Sequence, residues 1–239
     1  MFGQKKLEAS PYRGSIAEDI RLLQQFGAAQ RHDVGRGVEA RLNTLFRNIA
    51  TLVASGERTL DECLPTVEYV ARKMPQAWLY LADLCEERLP DPDVYIRNCL
   101  AHYLERDGRN DTRAWKRLAD SLAAAGMVHE EINALVGLSK ADGVPTFLVS
   151  NAVNRVNGLL RTSKYVLDVV DRRQLVRELA DVMVTRVSEC DATDLSRLAW
   201  LYLSLQNITK ADELVTLGLS KEPDNDHCKK LKSRMNNQQ

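Results

Sequence analysis

The sequence lacks a surplus of charge of either sign, and it also lacks long hydrophobic runs. Lysine plus arginine equals aspartate plus glutamate at 33 each, so the formal net charge at pH 7 is zero. Proteins that bind nucleic acid through its phosphates usually carry a basic surplus, so this balance disfavours that class. The longest apolar runs fall far short of the ~20 residues of a membrane-spanning helix, and no signal-peptide core is visible at the start. We therefore expect a soluble, cytoplasmic protein without a membrane partner.

Glycine, proline and cysteine are scarce as well. The 239 residues include 12 glycines and 7 prolines, which sit mainly between segments of helical periodicity. The 5 cysteines are scattered and odd in number: Cys63, Cys85, Cys99, Cys190 and Cys228. Most of them lie beside apolar residues inside predicted helices, which is typical of reduced core thiols and argues against a disulfide framework.

Motifs that carry catalysis or metal binding are also missing. The chain has no paired CxxC, no HExxH, no GxxxxGK(S/T) phosphate loop and no GxSxG nucleophile elbow. His129 has no second histidine four residues further on, and the adjacent His227 and Cys228 have no matching pair elsewhere. We therefore predict that the chain is not an enzyme, that it has no catalytic or metal-binding residues, and that it uses no cofactor.

What the sequence does contain is helical periodicity along almost its whole length. From Val38 to Val53, and again from Leu175 to Val187, apolar residues recur at intervals of three and four. Three prolines mark predicted helix starts and three glycines mark predicted ends: Pro75, Pro92, Pro145, Gly108, Gly126 and Gly143. No segment of the sequence has a strand-like pattern. The pattern predicts an all-α protein of about eleven helices.

The most regular segment runs from Asp194 to Pro223 and has the spacing of two helices joined by a short turn. Its core positions are Leu195, Leu198, Ala199, Tyr202, Ala211, Val215 and Gly218. The small Ala199 allows a neighbouring helix to approach closely. Thr209 is the predicted N-cap of the second helix, and Pro223 prevents that helix from continuing.

These positions resemble the tetratricopeptide repeat, a unit of two antiparallel helices followed by a proline. Two earlier segments between residues 75 and 142 resemble the unit less completely, and in the second of them Glu131 replaces a small residue. The resemblance implies a right-handed α-solenoid of antiparallel helix pairs. It also implies a non-catalytic adaptor or scaffold that binds a protein or peptide in a groove lined by the first helix of each unit.

The residues that face this groove are those that lie off the core stripe of the first helices. The predicted partner-binding residues are Ser196, Trp200 and Leu203 in the last unit and Arg113, Lys116 and Asp120 in the middle unit. Trp200 is rotated away from the core face, so its ring faces either a partner or the next stacked unit. Trp78 and Trp115 fall on the core stripe, and we expect both to be structural.

The charges of the predicted groove bear on the kind of partner. Family members that receive chaperone C-terminal peptides carry an asparagine where this chain has Asp120, whose carboxylate would repel the peptide terminus. Glu86 and Glu87 make the neighbouring unit acidic. This mixture of charges disfavours a chaperone-tail receptor and favours a peptide that carries both basic and apolar residues.

The two ends of the chain differ from its middle. We predict a mobile N-terminal arm with one short amphipathic helix at 1–36, a repeat domain at 37–225, and a charged tail or capping helix at 226–239. Two other functions stay open. One is a structural subunit that self-associates as a homo-oligomer through the apolar residues of the arm, and the other is an RNA-binding repeat protein that uses basic clusters such as 229–234.

Overall fold

The computed structural model describes residues 35–71, 76–89, 91–106, 108–162 and 170–236. In these ranges the regular secondary structure is α-helical and no strand occurs, which confirms the all-α prediction. The predicted N-terminal arm lies outside the described residues except for its last two positions, which begin the first helix. The chain divides into two compact units, one ending at Gly108 and the other beginning at Arg109.

Four helices form the described part of the first unit: α1 (Gly35–Ala54), α2 (Leu60–Ala71), α3 (Ala77–Arg88) and α4 (Asp93–Arg106). α3 packs on α1, on α2 and most extensively on α4. Phe46, Trp78 and Leu100 are at most 1 % exposed in the core of this unit. The Trp78 ring stacks on His102 with centroids 4.7 Å apart, so Trp78 is structural as predicted.

Seven helices form the described part of the second unit: α5 (Thr112–Ala124), α6 (Val128–Lys140), α7 (Thr146–Arg161), α8 (Val170–Val184), α9 (Ala192–Ser204), α10 (Ile208–Lys221) and α11 (Asp226–Asn236). The most extensive contacts join α5 to α6 and α9 to α10, the same helices that the residue spacing groups into units. α7 packs on α6, α8 and α9, while α11 packs on α9 and α10. α9 therefore contacts four other helices, and its buried face is wide.

The turns that follow α5 and α9 have the same geometry. Each contains one residue in the left-handed region, Gly126 at φ +69° and Gln206 at φ +64°. The next residue donates its N–H to the carbonyl five positions earlier, at 3.0 Å for Met127 and 2.8 Å for Asn207. This is the Schellman arrangement, which satisfies the free carbonyls at a helix end. The two helix pairs thus share a turn as well as a residue spacing.

Helix α10 begins earlier than its sequence pattern predicts. The Asn207 side chain accepts a hydrogen bond from the Lys210 N–H at 3.1 Å, so Asn207 is the N-cap. The prediction that Thr209 is the cap is wrong, because an asparagine two residues earlier already satisfies a free N–H of the first turn. α5 and α9 begin in the same way with aspartate caps, Asp111 and Asp191.

All five cysteines are buried free thiols, as predicted for core cysteines. Burial raises the pKa of Cys85 and of Cys190 from 9.0 to about 11. It also raises the pKa of Cys63 and of Cys228. A thiol that stays protonated is a poor nucleophile and a poor metal ligand. The cysteines therefore contribute packing to the two units.

Candidate functional site

On α5 the predicted partner-binding residues are exposed, and two of them pair with each other. Lys116 Nζ lies 2.6 Å from a carboxylate oxygen of Asp120, one helical turn further along. An exposed pair of this kind contributes only about 0.3–0.5 kcal/mol, but each partner offsets the other's charge. Among the described residues, Arg113 has no carboxylate partner. The α5 face therefore offers one uncompensated cation and one internally paired lysine.

The acidic residue that breaks the repeat pattern on α6 is held by an ion pair. The Glu131 side chain is 3 % exposed, whereas the Arg155 side chain on α7 is 51 % exposed. Arg155 donates two hydrogen bonds to the Glu131 carboxylate, the longer of them at 3.2 Å. The hydrogen bond to Glu131 raises the pKa of the Arg155 guanidinium. This pair joins α6 to α7 and has a structural role.

A second group of paired polar residues holds α7 against α9. The Ser150 hydroxyl, fully buried, donates to the Asp194 carboxylate and accepts from Arg197 Nη1 at 2.8 Å. The Asn157 amide donates to the Arg197 carbonyl at 2.7 Å. Asp194 also completes the capping box at the start of α9. Because these groups satisfy one another, they fix the position of α9 and of the side chains that it carries.

Ser196, one of the predicted groove residues on α9, is buried. It is 2 % exposed, and its hydroxyl donates to the Thr193 carbonyl at 2.7 Å. The prediction assumed a narrow core stripe, but four helices pack on α9 and cover more of its circumference. A partner cannot contact this side chain while the unit is folded, so Ser196 is not part of the accessible site.

Trp200 and Leu203, the other two predicted residues on α9, are half-buried and lie side by side at a shallow cavity. The cavity has a volume of about 270 Å³. Its remaining walls come from Ser204, Gln206, Ile208 and Arg234. Ile208 is 43 % exposed at the first position of α10. Apolar side chains from α9 and α10 thus reach solvent at one place.

Two guanidinium groups lie over the Trp200 ring. Cζ of Arg161, at the end of α7, is 5.2 Å from the ring centroid, and Cζ of Arg234, on α11, is 4.8 Å away. Both distances are within the ~6 Å range of cation–π contacts. Arg161 also donates to the Asn157 carbonyl at 3.2 Å. Within the described ranges, neither guanidinium has a carboxylate partner.

We call this cluster the tryptophan site and define it as Arg161, Trp200, Leu203, Ile208 and Arg234. The sequence predicted Trp200 and Leu203 from helical phase. It marked Arg234 only as part of a basic cluster near the end of the chain, and it gave no signal for Arg161 or Ile208. The Trp200 ring contacts side chains of neighbouring helices and also borders a solvent-accessible cavity.

A second cavity, of about 530 Å³, lies beside α8 at the end of α6. Three of its charged groups have partners, since Lys140 Nζ lies 2.6 Å from Glu178 and Asn110 donates to Asp142 at 2.6 Å. The hydrogen bond from Lys140 also lowers the pKa of Glu178. We therefore regard this cavity as a surface depression beside the Lys140–Glu178 ion pair.

In the described ranges, no group of three or more histidine, cysteine, aspartate or glutamate side chains is arranged to hold a metal ion. None of the described helices is both long and apolar enough to cross a membrane.

A scan against models of known protein families finds no match, and a search of curated proteins finds none either. Membership of the tetratricopeptide family therefore stays a prediction based on residue spacing.

Proposed function

We propose that this chain is a non-catalytic adaptor that binds a protein or peptide partner at the tryptophan site. The observation that carries this proposal is the half-buried Trp200 ring, which borders a partly apolar cavity and lies under two guanidinium groups. Tryptophan and arginine are enriched among the residues that dominate protein–protein binding energy. A partner that covered the ring would bury apolar surface and exclude water from both cation–π contacts.

The proposal includes the repeat architecture. In a tetratricopeptide-like solenoid of antiparallel pairs, α5, α7 and α9 would be first helices and would line one face of the second unit. That arrangement would place the α5 residues Arg113, Lys116 and Asp120 on the same face as Trp200 and Leu203. A partner of more than a few residues would then contact both groups.

A non-catalytic role is supported by the contacts and the burial of the reactive side chains. The buried acid Glu131 is held by Arg155, and the buried hydroxyl of Ser150 is held by Asp194 and Arg197. Four of the thiols have a pKa raised by burial. These groups serve structure, while the exposed features of the tryptophan site are those of a binding surface.

We expect Trp200→Ala to remove a specific protein from the material that co-purifies with the full chain. The reason is that truncating a central aromatic residue costs more than about 2 kcal/mol at a typical interface hot spot, which lowers affinity about 30-fold. The measurement is affinity purification from a nuclease-treated cell extract, followed by quantitative mass spectrometry. Circular dichroism and thermal melting of each variant report whether the fold is retained.

The matched control is Phe147→Ala, which removes another exposed aromatic residue. Phe147 is 62 % exposed and lies at the start of α7, 14 residues from Arg161 and thus about 21 Å along the helix. Ile208→Glu is a second disrupting variant, and its exposed position in the first helical turn tolerates an acid.

A partner that is retained by both Trp200→Ala and Ile208→Glu would contradict the proposal. Recovery that requires intact RNA would favour the RNA-binding alternative, and recovery of only the chain itself would favour self-assembly.

A further inference from the structure

We infer that the partner segment that binds at the tryptophan site is acidic, with a carboxylate side chain next to a large apolar one. This inference rests on the proposed function and deepens it by assigning the chemistry of the partner. It follows from the charge balance around Trp200, from the donors that two arginines present, and from the size of the adjacent cavity.

Two positive charges lie close together around Trp200. Arg161 and Arg234 lie 5.2 Å and 4.8 Å from the same ring centroid, so their charges are at most about 10 Å apart. At this separation, which is close to the Debye length of ~8–10 Å, two like charges still repel each other. Among the described residues, neither has an acidic partner that offsets this repulsion. A carboxylate supplied by another molecule would offset this repulsion.

Three lysines on α10 and α11 have acidic partners. The lysine–acid pairs of α10 and α11 are Lys210 with Glu213 at 2.9 Å, Lys229 with Asp224 at 2.8 Å, and Lys232 with Asp212 at 2.5 Å. Within the ranges that the structure describes, carboxylates therefore accompany these three lysines but not Arg161 or Arg234. The positive charge of the two arginines is next to the aromatic ring and the cavity.

Arginine is also the residue best suited to receive a carboxylate here. Its planar group can pack on an aromatic ring by its face while the N–H donors at its edge remain available. These donors match the two oxygens of an aspartate or glutamate side chain and form short, charge-assisted hydrogen bonds. The two arginines come from different helices, α7 and α11, so an acidic segment would bridge them across α9.

The cavity indicates the second feature of the ligand. Its volume of about 270 Å³ is below the ~300–1,000 Å³ of pockets that enclose a whole small molecule. Trp200, Leu203 and Ile208 give it apolar walls beside the polar walls from Ser204, Gln206 and Arg234. It suits one large apolar side chain of a longer segment that continues along the surface.

This chemistry differs from the sequence-based expectation of a basic and apolar partner. That expectation relied on Asp120 and on Glu86 and Glu87 of the neighbouring predicted unit. Of these, Asp120 already pairs with Lys116 at 2.6 Å. At Trp200 the available charges are positive. The acidic segment therefore fits the accessible groups better than a basic one.

The test is a selection of random twelve-residue peptides, displayed on phage, against the immobilised full chain. We expect the enriched peptides to carry aspartate or glutamate within two positions of Phe, Leu, Ile or Trp. A selected peptide, made synthetically with a fluorescent label, should bind about 10- to 100-fold more weakly to Arg161→Gln/Arg234→Gln. Replacing the aspartate and glutamate residues of the peptide with asparagine and glutamine should weaken its binding to the unchanged protein to a similar degree.

The control variant is Arg177→Gln/Lys229→Gln, which removes two exposed positive charges that do not lie over Trp200. We expect it to change the affinity of the peptide by less than about twofold. Peptide variants keep the test informative even if the arginine variant misfolds, because they leave the protein unchanged.

The outcomes separate this inference from the proposed function. Enriched peptides without acids, or with basic residues, whose binding is lost in Trp200→Ala would overturn the acidic assignment and leave the adaptor function standing. No enrichment, together with no partner lost from Trp200→Ala in the purification, would overturn both. Binding of labelled oligouridine that requires Trp200 would also overturn both, in favour of RNA.

Discussion

Replacing Arg155 with alanine is expected to lower the free energy of unfolding by about 3–5 kcal/mol. The cause is Glu131, whose side chain is 3 % exposed and would keep a buried charge without its partner. The substitution also removes two hydrogen bonds that join α6 to α7. Urea denaturation of the full chain, followed by circular dichroism, measures the change.

The matched control for this prediction is Glu131→Gln. It removes the buried charge and leaves Arg155 with half of its side chain exposed, so that water can solvate the guanidinium. We expect a loss of only about 1 kcal/mol from the weaker hydrogen bonding. If Glu131→Gln cost as much as Arg155→Ala, or more, the destabilisation would not come from an unpaired buried carboxylate.

Replacing Gly137 with alanine is expected to lower the free energy of unfolding by about 2 kcal/mol, which is within the range for an overpacked core. A Cβ atom at this position of α6 would lie 2.5–2.7 Å from three ring atoms of Trp115 on α5. The ring cannot move away without cost, because its Nε1 donates to the Arg109 carbonyl at 2.9 Å. Urea denaturation gives the stability, and near-UV circular dichroism reports the tryptophan environment.

The control for this second prediction is Gly158→Ala on α7. Apart from its chain neighbours and the backbone of its own helix, nothing lies within 4 Å of a Cβ built at Gly158, and the residue is exposed inside a helix. Alanine there should stabilise the protein by about 0.8–1 kcal/mol through helix propensity alone. We therefore expect Gly137→Ala to lower the free energy of unfolding and Gly158→Ala to raise it. A stabilising Gly137→Ala would show that α5 does not pack on α6 through Trp115.

Local signals predicted much of the fold from the sequence. Pro145 immediately precedes α7, and the left-handed Gly126 and Gly143 follow the ends of α5 and α6. Such residues act on their own neighbours, so their effect can be predicted without knowledge of distant packing. The start of α10 was predicted wrongly for a local reason, because Asn207 competes with Thr209 as a cap and lies earlier.

At the candidate site, the sequence could predict only those residues whose exposure follows from their position around a helix. Trp200 lies off the core stripe of α9, and that can be read from its position. Arg161 and Arg234 reach the same ring from positions 39 residues before and 34 residues after it, so their contacts depend on how α7 and α11 pack around α9. Ser196 was misplaced because periodicity does not reveal that four helices cover α9.

The ion pair between Glu131 and Arg155 could be predicted only in part. The sequence marks Glu131 as unusual, because an acid replaces the small residue that a repeat would place there. Its partner is 24 residues further along and on another helix. A local pattern can identify a misfit of this kind, but only the tertiary structure identifies the residue that compensates it.

The most direct test of partner binding at the tryptophan site is site-specific photo-crosslinking in living cells. A photoreactive phenylalanine analogue is placed at Leu203 in the full chain, and the same analogue is placed at Phe147 as the control. We expect a protein crosslinked from Leu203 and absent from Phe147, with the crosslinked residues in an acidic and apolar segment of that protein. Crosslinks that form from Phe147 but not from Leu203, or that join Leu203 only to RNA, would contradict partner binding at this site.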